Sequence, residues 1–117
     1  NLQPLLAAKG INAHFIVDQG RSGNQNYTRN GGDWCNNKRA GFGILPTTKT
    51  PDPLIDAIVW AKNGGEADGT SDPTALRFDQ ACASEFSLQP APEAGTWFQA
   101  YFEQLMVNAN PKIPKLL

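Results

Sequence analysis

Apolar and polar positions fall in blocks along the chain, and the blocks alternate between helical and extended character. Residues 2–9 have helical composition and stop at Gly10, a residue suited to the left-handed position just past a helix. No residues precede that helix to make its entry turn, so sequence upstream of it is expected. Ala13-His14-Phe15-Ile16-Val17 reads as a short buried strand that runs into the polar stretch Asp18–Gly23. Residues 24–40 are rich in glycine and asparagine and predict a long surface loop. Within it, Gly32-Asp33-Trp34-Cys35-Asn36 places a tryptophan either over a small satellite core or on an exposed platform. Residues 41–46 look like an extended crossing and 47–53 a turn. Leu54 to Ala61 is apolar and β-branched enough for a central strand, with Asp56 inside it assigned no role.

Residues 73–91 show no sustained period, and Gln89-Pro90-Ala91-Pro92 cannot continue a helix. The strongest helix is expected over Pro92–Met106. There Trp97, Tyr101 and Leu105 form one i, i+4 row and Phe98, Phe102 and Met106 an adjacent one. Such an aromatic stripe reads as core, not as a ligand site. Asn108 to Pro111 ends the helix, and 112–117 is a tail. Helix, glycine, strand and polar glycine loop compose the unit repeated in α/β barrels and open sheets, so the fold class is α/β. At 117 residues the chain holds one domain at most.

The chemistry gathers after the second strand, in Lys62-Asn63-Gly64-Gly65-Glu66-Ala67-Asp68-Gly69-Thr70-Ser71-Asp72. In α/β proteins, loops at strand ends usually carry the site. Glu66 and Asp68 are paired carboxylates, the equipment of glycoside hydrolysis, in which an acid protonates the leaving oxygen and a base activates water. The same pair also fits a solvated acidic turn. A calcium loop fits poorly, because the alternating oxygen ligands are lacking and Lys62 would compete. Arg21 follows its strand as Lys62 follows the other. If the strands are parallel neighbours, both cations reach Asp68. Opposite charges favour an ionised carboxylate, which suits a base or an electrostatic stabiliser but not an acid. Alternatively, Arg21 only organises the turn from Gly20 to Gly23.

Composition narrows the partners. Ten basic against eleven acidic residues leave a net charge of −1 without a basic cluster, a poor match for nucleic acid. Hydrophobic residues make up 40%, yet no apolar run approaches the roughly 20 residues of a membrane span. No leader segment is visible at Asn1-Leu2-Gln3-Pro4. The single histidine, His14, and two unpaired-in-sequence cysteines speak against zinc, and no metal or cofactor is implied. Cys35 and Cys82 are either two separate thiols or one bridge. Their loop settings and the sequon at Asn26-Tyr27-Thr28, a glycosylation candidate, favour secretion with a disulfide. Such a bridge would stabilise by up to ~4 kcal/mol.

Taken in order, Asp18–Gly23, Gly32–Asn36, Gly41-Phe42-Gly43, Trp60–Asp72 and Leu88–Phe102 resemble the C-terminal part of a glycoside hydrolase family 6 cellobiohydrolase, the fungal type II exoglucanase. The resemblance spans nearly the whole chain and makes residues 1–117 the C-terminal third of a catalytic domain, not a complete one. It implies part of a distorted α/β barrel with long active-site loops. The implied activity is hydrolysis of β-1,4 links in cellulose with inversion, releasing cellobiose mainly from non-reducing ends, by a secreted, extracellular enzyme. Cellulose, cello-oligosaccharides and the N-terminal part of the same domain are the implied partners.

Residue by residue, Trp34 matches the tryptophan that stacks on a glucose unit, and Lys62 and Glu66 match the pair that hydrogen-bonds that sugar. Asp68 matches the aspartate proposed as catalytic base, salt-bridged to cations that Arg21 and Lys62 match. Cys35 and Cys82 match a family disulfide. The loop between Pro73 and Gln89 matches one that helps roof a tunnel. The family's catalytic acid and its other sugar-binding tryptophans match no residue here. Ala67, Asn63 and Leu45 depart from the frequent cysteine, proline and arginine, and none of the three is expected to touch a proposed sugar contact. An endoglucanase of the same family and a non-catalytic carbohydrate-binding fragment are the alternatives.

Overall fold

The computed structural model describes residues 2–28 and 31–114. Asn1, Arg29 and Asn30 of the long loop, and the tail beyond 114, lie outside the described residues. The first helix, α1, covers Leu2–Ala7. Its end is set by Gly10, whose φ of 75° suits glycine. The Gly10 N–H donates to the Ala7 carbonyl at 2.9 Å and the Ile11 N–H to that of Leu6 at 3.0 Å, closing a Schellman motif. No residue of α1 is buried.

Strand β1, Phe15–Asp18, pairs in parallel with β2, Ile55–Val59. Val17 lies opposite Ile58 and Asp18 opposite Val59, after an irregularity between Phe15 and Ile16. On its other edge β2 meets Thr47 in a single antiparallel bridge, with bonds of 2.9 and 3.0 Å between Thr47 and Ile58. Because the strands run the same way, Gln19–Arg21 and Trp60–Asp68 leave the sheet at the same end. That juxtaposition sets the site.

The core sits away from the sheet. Ala40, Phe42, Ala67, Ala91, Phe98, Tyr101, Leu105 and Ala109 are buried together, and Trp60, Leu88, Phe102, Met106 and Ile113 pack against them. Of the strand residues only Ile58 is fully buried. The second helix, α2, spans Gln99–Val107, and loops wrap around it. It starts seven residues later than its apolar pattern predicts. Gly95 sits at φ 83°, and the backbone of 95–98 is spent on pairing with 65–67. The Ala67 N–H donates to Thr96 and the Phe98 N–H to Gly65, at 2.9 and 2.7 Å. Trp97 therefore stands outside the helix and exposed, a correction to its expected place in the core stripe.

The expected surface loop over 24–40 is also corrected at its far end. Cys35, Asn36, Asn37 and Ala40 are buried, and Asn37 bridges Ser87. Cys35 and Cys82 form a disulfide with Cα atoms 5.0 Å apart, Cys82 lying in a short 3-10 helix over Gln80–Ala83. This bridge pins the two long loops to each other.

Candidate active site

Asp18 closes the end of the sheet. Its Oδ1 accepts from the Gly20 N–H at 2.9 Å and the Ala61 N–H at 3.3 Å, and its Oδ2 from the Lys62 N–H at 3.2 Å. One carboxylate thus joins both strand ends and fixes where Arg21 and Lys62 begin. Sequence reasoning gave Asp18 no role, since an aspartate closing a strand also fits an ordinary turn.

Arg21 does not merely organise its own turn. Its Nη1 donates to both carboxylate oxygens of Asp68 at 2.7 Å, while Nη2 donates to the carbonyls of Asn63, Gly64 and Glu66. The guanidinium also lies 4.7 Å from the ring centre of Tyr101, which ties it to the core helix. Lys62 Nζ stands between two carboxylates, 3.2 Å from Asp68 Oδ1 and 3.3 Å from Glu66 Oε1. The Asp68 side chain is 9% exposed and that of Lys62 41%. A third donor, the Asn36 N–H, makes the fourth contact, reaching Asp68 Oδ2 at 2.9 Å. An ionised carboxylate has about four acceptor positions, so this one is fully engaged.

Asn63 corrects one expectation. Its Nδ2 donates to Glu66 Oε2 at 3.0 Å, so this departure does touch a proposed sugar contact. The Asn63 amide, and after it Lys62, hold the Glu66 carboxyl below the usual carboxylate range. Asp72 belongs elsewhere. It accepts from the Thr74 N–H and hydroxyl, which lower its carboxyl in the same sense, and it closes a turn. Asp56 pairs with His14 at 2.8 Å on the sheet.

Trp34 is half exposed, 49%, immediately before the disulfide. Of the two readings for it, the exposed platform fits. A separate groove of about 380 Å³ is walled by Phe42, Trp60, Trp97 and Phe102 and touches the charged cluster only at Asn63 and Glu66. Among the described residues, no three His, Cys, Asp or Glu side chains gather closely enough to hold a metal ion, and no helix is long and apolar enough to cross a membrane. Chemically, the cluster offers an anchored anion and a cation shared between two carboxylates, and Trp34 stands exposed two residues before Asn36, which bonds that anion.

The family described as glycosyl hydrolases family 6 matches residues 1–109. Exoglucanase 3 of Agaricus bisporus is 63% identical over 96% of this chain and 26% of its own length. A putative endoglucanase type B of Fusarium oxysporum is 62% identical over 92% of this chain and 24% of its own. Among solved structures, cellobiohydrolase II of Humicola insolens in complex with glucose and cellotetraose superposes with a TM-score of 0.87 at 55% identity, over 95% of this chain and 31% of that one. The chain spans about a quarter of the length of the curated relatives it matches.

Proposed function

The chain belongs to glycosyl hydrolases family 6, and from that membership we propose that it supplies one wall of a cellulose-cleaving active site. The reaction is hydrolysis of β-1,4-glucosidic bonds with inversion, releasing cellobiose from non-reducing chain ends. Residues 1–117 form the C-terminal third of the catalytic domain, and the remainder of that domain is the partner that brings the catalytic acid. The exposure of α1 and of Ile16 on β1 supports this, since a parallel strand with open faces is uncommon in a complete α/β domain. The enzyme works outside the cell, as its disulfide and the sequon at Asn26 suggest, with Asn26 as a candidate glycan acceptor.

The observation that carries the reading is the double cation contact to Asp68. Asp68 acts as base: it withdraws a proton from the water that attacks the anomeric carbon, while the acid protonates the departing oxygen. Arg21, almost buried, pairs with the carboxylate through two bonds of 2.7 Å. Lys62, the most exposed of its partners, is the one that a sugar hydroxyl can draw toward Glu66, vacating a lone pair on Asp68 Oδ1. Trp34 stacks on a pyranose face while Lys62 and Glu66 bond its hydroxyls. Neither metal nor cofactor takes part.

In the complete catalytic domain, Asp68→Ala is expected to abolish most turnover of soluble cello-oligosaccharides with binding nearly unchanged. Trp34→Ala is expected to weaken binding by roughly 1–3 kcal/mol, the scale of aromatic stacking. Parental kinetics in both variants would remove the assignment. The endoglucanase relative supports endo action as a second reading. The ratio of soluble to insoluble reducing ends released from cellulose separates the two.

A further inference from the structure

We propose that Asn36 is the positioning residue of the base, fixing the place and angle of the Asp68 carboxylate. The proposal rests on the reading of Asp68 as base.

Asn36 is fully buried, and its φ of 40° lies in the left-handed region that side chains other than asparagine and aspartate rarely adopt. That conformation turns its N–H onto Asp68 Oδ2 at 2.9 Å. Its side chain then grips the main chain beneath the same carboxylate. Oδ1 accepts from the Asp68 N–H at 2.7 Å, and Nδ2 donates to the Gly69 carbonyl at 2.8 Å. Its own carbonyl accepts from the Leu88 N–H at 2.9 Å. Three hydrogen bonds from one residue converge on two consecutive residues of another loop.

The chemistry selects asparagine. The clasp needs an acceptor and a donor side by side on a short stem, together with tolerance of positive φ. Aspartate cannot donate to Gly69 and would set a second anion against Asp68. Glycine accepts the φ but has no amide, and alanine lacks both. Arg21 and Lys62 supply charge through long, jointed side chains. Asn36 supplies position through its backbone and a side chain with two torsions, held next to the disulfide at Cys35. A general base displaced by an ångström loses on the order of a hundredfold in rate, so this is where a clasp acts on turnover and not on affinity.

The test uses the complete catalytic domain, with kcat and KM on a soluble cello-oligosaccharide, dissociation constants from tryptophan fluorescence, and melting temperatures. Asn36→Ala is expected to lower kcat by about ten- to a hundredfold with KM within about twofold. Asn36→Gly accepts the left-handed φ that aims the backbone donor and is expected to fall between Asn36→Ala and the parent. On an Asp68→Ala background, Asn36→Ala is expected to add no further loss, because it acts through Asp68.

Parental kcat in Asn36→Ala overturns the proposal, as does an undiminished further loss on the Asp68→Ala background. If Asn36→Ala does not fold, a folded Asn36→Gly with parental kcat overturns it equally. Parental turnover in Asp68→Ala alone marks a different failure, that of the base reading itself.

Discussion

Glu66 shows how a single neighbour sets the working range of a side chain. Its carboxyl is held low first by the Asn63 amide and next by Lys62. A carboxylate lowered in the folded state contributes its stabilisation above its unfolded value and loses it as pH falls through the folded one. Asn63→Ala removes the largest cause, so Glu66 is expected to take up its proton at higher pH than in the parent. The Lys62–Glu66 pair, and oligosaccharide binding that depends on it, should then fail earlier on acidification. Carboxyl NMR titration of Glu66 checks this, and superimposable curves for variant and parent would refute it. The Asn63 amide is thus a second hold on Glu66 beside Lys62. Charges at strand ends were legible in the sequence, because Arg21 and Lys62 each stand just beyond an apolar run and Asp68 lies in the loop after the second. Asn36 was not legible. Its contribution depends on one left-handed torsion and on bonds to a loop 32 residues away, and neither leaves a periodic trace.

At the scale of elements, α2 is the seat of the core and the strands are its satellites. Leu105 is fully buried on α2, and its carbonyl accepts from the Phe42 N–H at 3.1 Å. Leu105→Ala is expected to cost about 2–5 kcal/mol, read as an earlier guanidinium midpoint of the complete domain. A change within about 0.5 kcal/mol would mean that the helix is not what the loops pack upon. Both strands and the end of α1 could be read from pattern, since Gly10 and the β-branched runs are local signals. The start of α2 could not. Its apolar i, i+4 rows extend back to Trp97, but the peptide groups of 95–98 are claimed by Gly65 and Ala67, a competition that only tertiary contact reveals. The apolar stripe set the face of the helix, and the partner loop set its length.

For the whole molecule, spread is informative. The radius of gyration is 16.7 Å, against about 13 Å for a compact domain of this length. Ile16 on β1 and Leu2 and Leu5 on α1 are exposed, so the sheet side has apolar surface without cover among the described residues. The purified 117-residue chain is therefore expected to melt without a sharp cooperative transition. It should also show no turnover of cello-oligosaccharides, since an inverting reaction needs both an acid and a base. Turnover by the isolated chain would refute the single-wall reading, and a sharp melt would favour an independent binding module. The α/β class could be read from the sequence, because the αβ unit is local. The parallel pairing of the two strands stood there only as a condition, since it joins segments 40 residues apart. The distribution of the core could not be read, because most of it comes from loops whose burial depends on distant partners.

The Cys35–Cys82 bridge carries a consequence for survival among proteases. The stretch before the 3-10 helix includes Leu76, which is fully exposed, and Arg77, which is two-thirds exposed. Exposed loop segments of this kind are where proteases cut first. A cut there falls inside the covalent ring closed by the disulfide, whose cysteines are 47 positions apart. Both products stay tethered: Trp34, Lys62, Glu66 and Asp68 remain on one fragment, and the bridge holds to it the other fragment, which carries α2 and Tyr101. A nicked molecule would keep its wall of the site and migrate as two fragments only after reduction.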